Sequence, residues 1–339
     1  MKQNQPQNIL IINLKFLGDL IVSTAAIRAI KKKHSSSKIT VLVRSQYKDV
    51  LAGNQFIDEI LAYDFSIKKQ KGISRLKSEA EFLKQLRERH FDAVVSLQAG
   101  DRFVLWSFLC GAKTRVAPIQ NNFGFLLTHK AEVYEDSISY MEYYLKIAQT
   151  FGAEPDGMET DFVLDKEYEK LTNDFFAENQ ISKDDKLVCI HPGAGDLTRK
   201  WHLKNYPELV KRISSELNCK VIFTLGPQEL KQKSEFEAIT SSGAIIHVSN
   251  NVHNLAWVVK RANLMIGMDS GARHLAAALK IPTLVLFPED LVLTWKFYSE
   301  EDKHFFITGR RNNSNPENQF LDMIDVDKVF SKVKEIMEL

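Results

Sequence analysis

Short runs of wholly apolar residues alternate along the chain with stretches whose apolar positions recur every three or four residues. Ile9-Leu-Ile-Ile12, Ile39-Thr-Val-Leu-Val43 and Ala93-Val-Val-Ser-Leu97 are such runs, and Glu59-Ile-Leu-Ala62 is a further candidate. A strand that is apolar at every position has no solvent face, which suits a parallel sheet covered on both sides. Between the runs, the helical period predicts a helix from about Leu20 to Lys33. A second, amphipathic helix is predicted from Glu79 to Arg89, with Phe82, Leu83 and Leu86 on one face. This alternation implies βαβ units.

The pattern restarts after the stretch from Gly152 to Asp165. Strands are predicted at Leu187–Ile190, Lys220–Thr224, Ile245–Val248, Leu264–Ile266 and Thr283–Leu286. Helices near Glu167–Asn179, Tyr206–Leu217, Asn254–Lys260 and Gly271–Leu279 accompany them. The tail from Asp325 to Glu338 reads as a closing helix with Val326, Val329, Phe330, Val333 and Ile336 on one face. Two α/β halves are expected, with ligands at the carboxyl ends of their strands.

Length fits that division, since 339 residues suit two domains of roughly 150 residues each. The 44% hydrophobic and 26% charged content is that of a soluble globular chain, and a net charge of +2 gives no argument for nucleic acid. Lys31-Lys-Lys33 and the stretch from Lys68 to Lys77 are local basic clusters, either solvated faces or attractors for an anionic membrane surface. Cys110, Cys189 and Cys219 each sit in apolar surroundings, which suggests reduced thiols in a cytoplasmic protein. The polar N-terminus does not read as a signal peptide, and no apolar stretch is long enough to span a membrane.

Two corners of the second half carry the strongest chemical signal. His191-Pro-Gly193-Ala-Gly195 follows one apolar run and leads into Thr198, Arg199, Lys200 and Trp201. About seventy residues on, Asp269-Ser270-Gly271-Ala-Arg-His274 opens a helix near Gly271. Helix N-termini present unpaired N–H groups and a partial positive charge, so with Arg199 and Lys200 they suggest a diphosphate held without a metal. Gly193 and Gly195 offer backbone donors and Thr198 a hydroxyl. Ser270 and His274 share a helix face, and Gly271 leaves room for close approach. The alternative for the two cations is surface charge beside a buried tryptophan, and Asp269 either orients sugar hydroxyls or caps the helix. Glu229, in Gly226-Pro-Gln-Glu229, suits a ribose diol or an exposed turn, and Asn250 with Asn251 can line a base pocket.

In the first half, Asp19 follows Gly18 at the end of the first strand. It is either a general base for an acceptor hydroxyl or an N-cap of the helix. Gln98 and Arg102 follow the Ala93–Leu97 strand and Arg115 closes Gly111-Ala-Lys-Thr-Arg115. Arginines there would pair with phosphate or carboxylate on an acceptor, or are ordinary surface groups.

Ile9-Leu-Ile-Ile-Asn-Leu-Lys-Phe-Leu-Gly-Asp19, the His191 to Trp201 stretch and Asp269-Ser-Gly-Ala-Arg-His-Leu-Ala-Ala-Ala278 together resemble glycosyltransferase family 9, the ADP-heptose:lipopolysaccharide heptosyltransferases. The resemblance implies an α/β GT-B fold, two Rossmann-like doubly wound domains facing across a cleft. An acceptor domain would span 1–165, a nucleotide-sugar domain 166–324, and a closing helix 325–339. It further implies inverting transfer of heptose from ADP-heptose to an inner-core sugar of lipopolysaccharide, with no metal or other cofactor. Asp19 would be the base and Lys200 would meet the phosphates. Gly18, Gly193, Gly195, Thr198, Arg199, Glu229, Asn250, Asp269, Ser270, Gly271 and His274 complete the expected nucleotide-sugar set. Lys15, Gln98, Arg102 and Arg115 form the acceptor set. Lys15, four residues before Asp19, is reminiscent of the branch that adds later heptoses. Ala25 stands where many relatives carry proline after the Ser/Thr pair, a change expected to bear on how the helix begins. The implied setting is cytoplasmic, with peripheral contact to the inner membrane. Transfer from another nucleotide sugar, or nucleotide binding without turnover, stays open. A nicotinamide dehydrogenase is disfavoured because Leu14-Lys-Phe-Leu-Gly18 is no Gly-x-Gly-x-x-Gly loop.

Overall fold

Each apolar run becomes a strand in the computed structural model, which describes residues 6–119, 122–226, 236–311 and 321–338. The chain divides into two units, Met1–Val163 and Leu164–Leu339. In the first, the order is β1 (Asn8–Ile12), α1 (Leu17–Lys33), β2 (Lys38–Arg44), β3 (Glu59–Tyr63), α2 (Gly72–Glu88) and β4 (Ala93–Ser96), then α3 (Asp101–Leu109), β5 (Thr114–Pro118), β6 (His129–Ala131) and α4 (Tyr140–Thr150). The sheet runs β3-β2-β1-β4-β5-β6, every pair parallel. Leu10 and Ile12 of β1 pack with Phe82 and Leu86 of α2 and Trp106 of α3. Side chains alternate along a strand, so Ile9 and Ile11, equally buried, face the other layer.

Helix α1 departs from its expected outline. It starts at Leu17, three residues before the apolar period does, and is buried at every position from Gly18 to Ile30. Its neighbours include α4, which leaves little of it in water. Enclosure on this scale needs its polar groups satisfied. Ser23 and Thr24 donate to the carbonyls of Leu20 and Ile21, and the Arg28 guanidinium meets Asp156 at 3.0 Å and Asp161 at 2.9 Å. Ala25 therefore lies in mid-helix, and the substitution has no bearing on the helix start.

The second unit contains α5 (Glu167–Glu178), β7 (Leu187–His191), α6 (Tyr206–Glu216), β8 (Lys220–Leu225), α7 (Glu237–Ser241), β9 (Ile245–Val248), α8 (Val252–Arg261) and β10 (Leu264–Met268). They are followed by α9 (Gly271–Ala278), β11 (Thr283–Pro288), α10 (Val292–Trp295), β12 (His304–Arg311), β13 (Leu321–Asp322) and α11 (Val326–Glu338). Its sheet runs β13-β12-β11-β10-β7-β8-β9, parallel except for the β12–β13 edge. Val329, Phe330, Val333 and Ile336 of α11 join the same apolar core as Val188, Phe223 and Trp201. Both units thus repeat one winding, in which the first strand lies beside the fourth and the chain runs outward from that pair in both directions.

Candidate active site

A winding of this kind opens a crevice at the carboxyl ends of the two central strands, where open α/β sheets bind ligands. In the first unit those strands are β1 and β4. The loop after β1 is fixed to the loop after β4 by Gln98, buried, whose Oε1 accepts the Leu14 N–H at 3.0 Å. Gln98 is thereby a strut between the two loops.

Asp19 lies in the first turn of α1 and is 7% exposed. The N-cap position belongs to Phe16, which offers no capping oxygen, so the expected alternative of Asp19 as N-cap does not describe this helix start. Instead Asp19 sits three residues in, and its Oδ2 accepts the Phe16 N–H at 3.3 Å, the reciprocal half of a capping box. Its Oδ1 accepts the hydroxyl of the buried Tyr144 from α4 at 2.9 Å. Burial pushes the Asp19 pKa up; Lys15, the Tyr144 hydroxyl and the Phe16 N–H pull against that. Lys15 is itself held by Glu135 at 2.8 Å, with its ammonium 4.4 Å from the Tyr140 ring centroid.

Arg44, at the end of β2, was not among the expected residues. Its guanidinium lies between Phe16 and Phe65, 4.4 and 4.2 Å from their centroids, and its Nε donates to the Leu14 carbonyl. Arg102 is turned onto Glu79 and Tyr63 and stacks on Trp106 at 4.4 Å. Arg115 stands apart from this group. It is near the amino end of β5, where it donates to the carbonyls of Leu126 at 2.6 Å and Ala112 at 2.5 Å, at the end of the parallel strands opposite to Asp19.

In the second unit the central pair is β7 and β10. The segment after β7 crosses to the segment after β10 through Arg199, whose Nη1 meets Asp269 Oδ2 at 3.3 Å. Asp269 also receives Arg273, at 3.2 Å on Oδ1. Trp201 anchors the segment, with its ring buried against Tyr206 and its Nε1 donating to the Ile324 carbonyl at 2.8 Å. Lys200, directly before that anchor, has no ion-pair partner among the described residues. Gly195 has open space where a Cβ would stand, and its φ is ordinary, so the chain alone does not require glycine there. Gly193 is buried in the same segment.

Three donors at this corner are buried without a partner among the described residues: Arg199 Nε, Ser270 Oγ and Arg273 Nη1. Leaving such a group unmet costs about 1–3 kcal/mol, and an anion would relieve at least the first two. Ser270 is the N-cap of α9, so its hydroxyl and the free N–H groups from Gly271 onward converge on that point. Other expected members are already engaged. Thr198 gives both its N–H and its hydroxyl to Asp196, at 2.7 Å each. His274 is boxed by Trp295, Phe297 and Tyr298, with Nδ1 3.1 Å from the Tyr298 hydroxyl. Burial beside Arg273 drives the His274 pKa far down, so it stands there as a neutral ring. Asn250 is exposed just past β9, and Asn251 caps α8 through the His253 N–H at 2.7 Å. Glu229 lies outside the described residues. Among the described residues no group of three His, Cys, Asp or Glu could hold a metal ion, and no helix is long and apolar enough to cross a membrane.

Several proteins to which this chain is similar are heptosyltransferases. At 26% identity the chain is similar to lipopolysaccharide heptosyltransferase 1 of Campylobacter coli, over 82% of this chain and 83% of that one. At 21% it is similar to lipopolysaccharide heptosyltransferase 3 of Escherichia coli (strain K12), over 96% of both. The fold is that of the glycosyl transferase family 9 protein of Veillonella parvula, with a TM-score of 0.84 at 17% identity over 98% and 97% of the two chains. It is also that of the E. coli heptosyltransferase WaaC solved with ADP-2-deoxy-2-fluoro heptose, with a TM-score of 0.73 at 14% identity over 97% and 99%. These neighbours make the two Rossmann-like units a GT-B fold. The family model for glycosyltransferase family 9 (heptosyltransferase) matches residues 80–320, and the chain belongs to that family.

Proposed function

We propose that this enzyme moves heptose from ADP-heptose to an inner-core sugar of lipopolysaccharide with inversion, using Asp19 as general base. The acceptor hydroxyl oxygen attacks the anomeric carbon while Asp19 takes its proton. The bond from that carbon to the diphosphate breaks, and its electron pair leaves with ADP. A fixed cation near the leaving oxygen favours the transition state over the ground state, because charge grows there as the bond opens. Lys200, Arg199, Ser270 and the α9 N-terminus are assigned that task, with Gly193 and Gly195 leaving room for phosphate oxygens. Lys15 and Arg102, with Arg44 added, are assigned to an anionic acceptor, which rests in the cytoplasmic leaflet of the inner membrane.

The observation that carries this reading is the cluster of buried donors around Asp269, beside Lys200, that have no partner among the described residues. It is tested by assaying two variants together. Asp19→Asn should lower turnover by about two to four powers of ten with ADP affinity kept. Lys200→Ala should weaken ADP binding by roughly 1.5–3 kcal/mol and slow transfer as well. Equal ADP affinity in the lysine variant, measured by calorimetry, would remove it from the phosphate site. Near-parent turnover in Asp19→Asn would leave Asp19 as half of a capping box.

A further inference from the structure

Helix α2 begins at Gly72, seven residues before the apolar period that predicts it, and its added turns do not face the core. Phe82 and Leu86 are buried, whereas Ile73 and Leu76, one turn apart, are 84% and 70% exposed. Residues 68–77 hold Lys68, Lys69, Lys71, Arg75 and Lys77 and no carboxylate, and all of residues 71–77 are exposed. The other basic cluster is different in kind. Lys31 is paired with Asp58 at 2.8 Å and Lys32 with Asp156, so two of its three charges are already answered within the chain.

Branched apolar side chains held outward beside cations that have no carboxylate partner among the described residues, Lys68 resting on the Phe65 ring, are a poor surface for water. They suit an anionic bilayer interface, where acyl chains take the apolar residues and headgroups take the charges. The segment is also tied to the Asp19 corner. The turn before it carries Phe65, stacked on Arg44, and α2 itself carries Glu79, paired with Arg102. We infer that the first two turns of α2, with the lysines before them, insert into the interface of an anionic phospholipid bilayer and so bring a lipid-linked acceptor to the carboxyl end of β1. The membrane contact stands on these exposed residues alone; its use for the acceptor rests on the proposed reaction.

The test uses the full chain and vesicles of phosphatidylglycerol with phosphatidylethanolamine, against pure phosphatidylcholine. Binding should require the anionic lipid and fall as salt rises. Replacing Lys69, Lys71, Arg75 and Lys77 by Ser should weaken it roughly a thousandfold, and Ile73→Ser with Leu76→Ser about tenfold or more. Lys33→Ser should leave it near the parent. Ile73→Trp should add a fluorescence component that shifts to the blue on vesicles and is quenched by brominated lipid. In the Ser variants ADP affinity and transfer to a soluble acceptor fragment should stay at parent values. Parent protein that ignores anionic vesicles, or variants that bind as the parent does, would overturn the inference. So would light scattering that shows the apolar pair holding two copies together instead. A failure of the reaction itself reads differently: the parent would transfer nothing in any format while still binding vesicles.

Discussion

Asp19 is held between opposing influences, and their balance decides when it can accept a proton. Burial favours its neutral form, while the Tyr144 hydroxyl, the Phe16 N–H and the Lys15 charge favour the carboxylate. Tyr140 and Arg44 also lie within electrostatic reach. Tyr144→Phe deletes a donor to the charged form and keeps the ring, so the Asp19 pKa should climb further. A base works only when ionised, so the acid limb of kcat/KM against pH should move to higher pH in this variant. The alkaline plateau should change far less. Lys15→Met should move the limb the same way. A limb that stays in place in both variants would mean that another group sets it. Tyr144 was not legible in the sequence reading because α4 was not assigned, although a signal was present. Ser139 and Glu142 form a capping box before an apolar helical run. Arg44 was missed for a different reason, since a cation ending a strand has no distinguishing neighbour until Phe16 and Phe65 fold onto it.

At the scale of elements, what could be read depended on whether burial left a mark on the sequence. β1, β4, β7 and β10 are covered on both faces, so they appear as unbroken apolar runs. The starts of α1 and α2 left no such mark. Phe16 is not a recognised capping residue, and the first turns of α2 expose their apolar side chains. The glycine-rich corner after β7 was legible as chemistry, but its support was not. The Trp201 side chain helps hold it through a hydrogen bond to the Ile324 carbonyl, an atom more than a hundred residues away. Trp201→Phe keeps most of the packing and leaves that buried carbonyl unmet, at a cost of about 1–3 kcal/mol. The expected drop in Tm is roughly 2–4 °C per kcal/mol for a unit of this size. ADP affinity should fall with it, because Lys200 directly precedes the anchor. A lower Tm with unchanged ADP affinity would separate the anchor from the phosphate site.

At the scale of the molecule, the two units should part company in acid. His247 and His304 in the second unit are buried neutral rings whose pKa values burial pulls down to about 4. His274 is lowered further, and His202 is lowered too. Unfolding returns each to the ordinary value near 6.5, so between those values the unfolded chain binds protons that the folded unit refuses. Stability must then fall as pH falls through that window. At pH 5 the first two histidines together have given up about 4 kcal/mol, enough to lower Tm by roughly 8 °C or more. The first unit carries one lowered histidine, His34, and an opposing group, since the raised pKa of Asp19 makes folding easier as protons arrive. Its lowered carboxylates, Asp58, Glu59 and Asp156, withdraw their stabilisation only as pH falls below about 4. Pulse proteolysis at rising temperature, with fragments identified by mass, should therefore find the second unit cut first at pH 5, and at a markedly lower temperature than at pH 7.5. Asp19→Asn should remove the first unit's advantage in part, because the penalty for its ionised carboxylate no longer changes with pH. Equal displacement of both units between pH 7.5 and 5, or earlier loss of the first, would show that these buried rings do not govern the acid response.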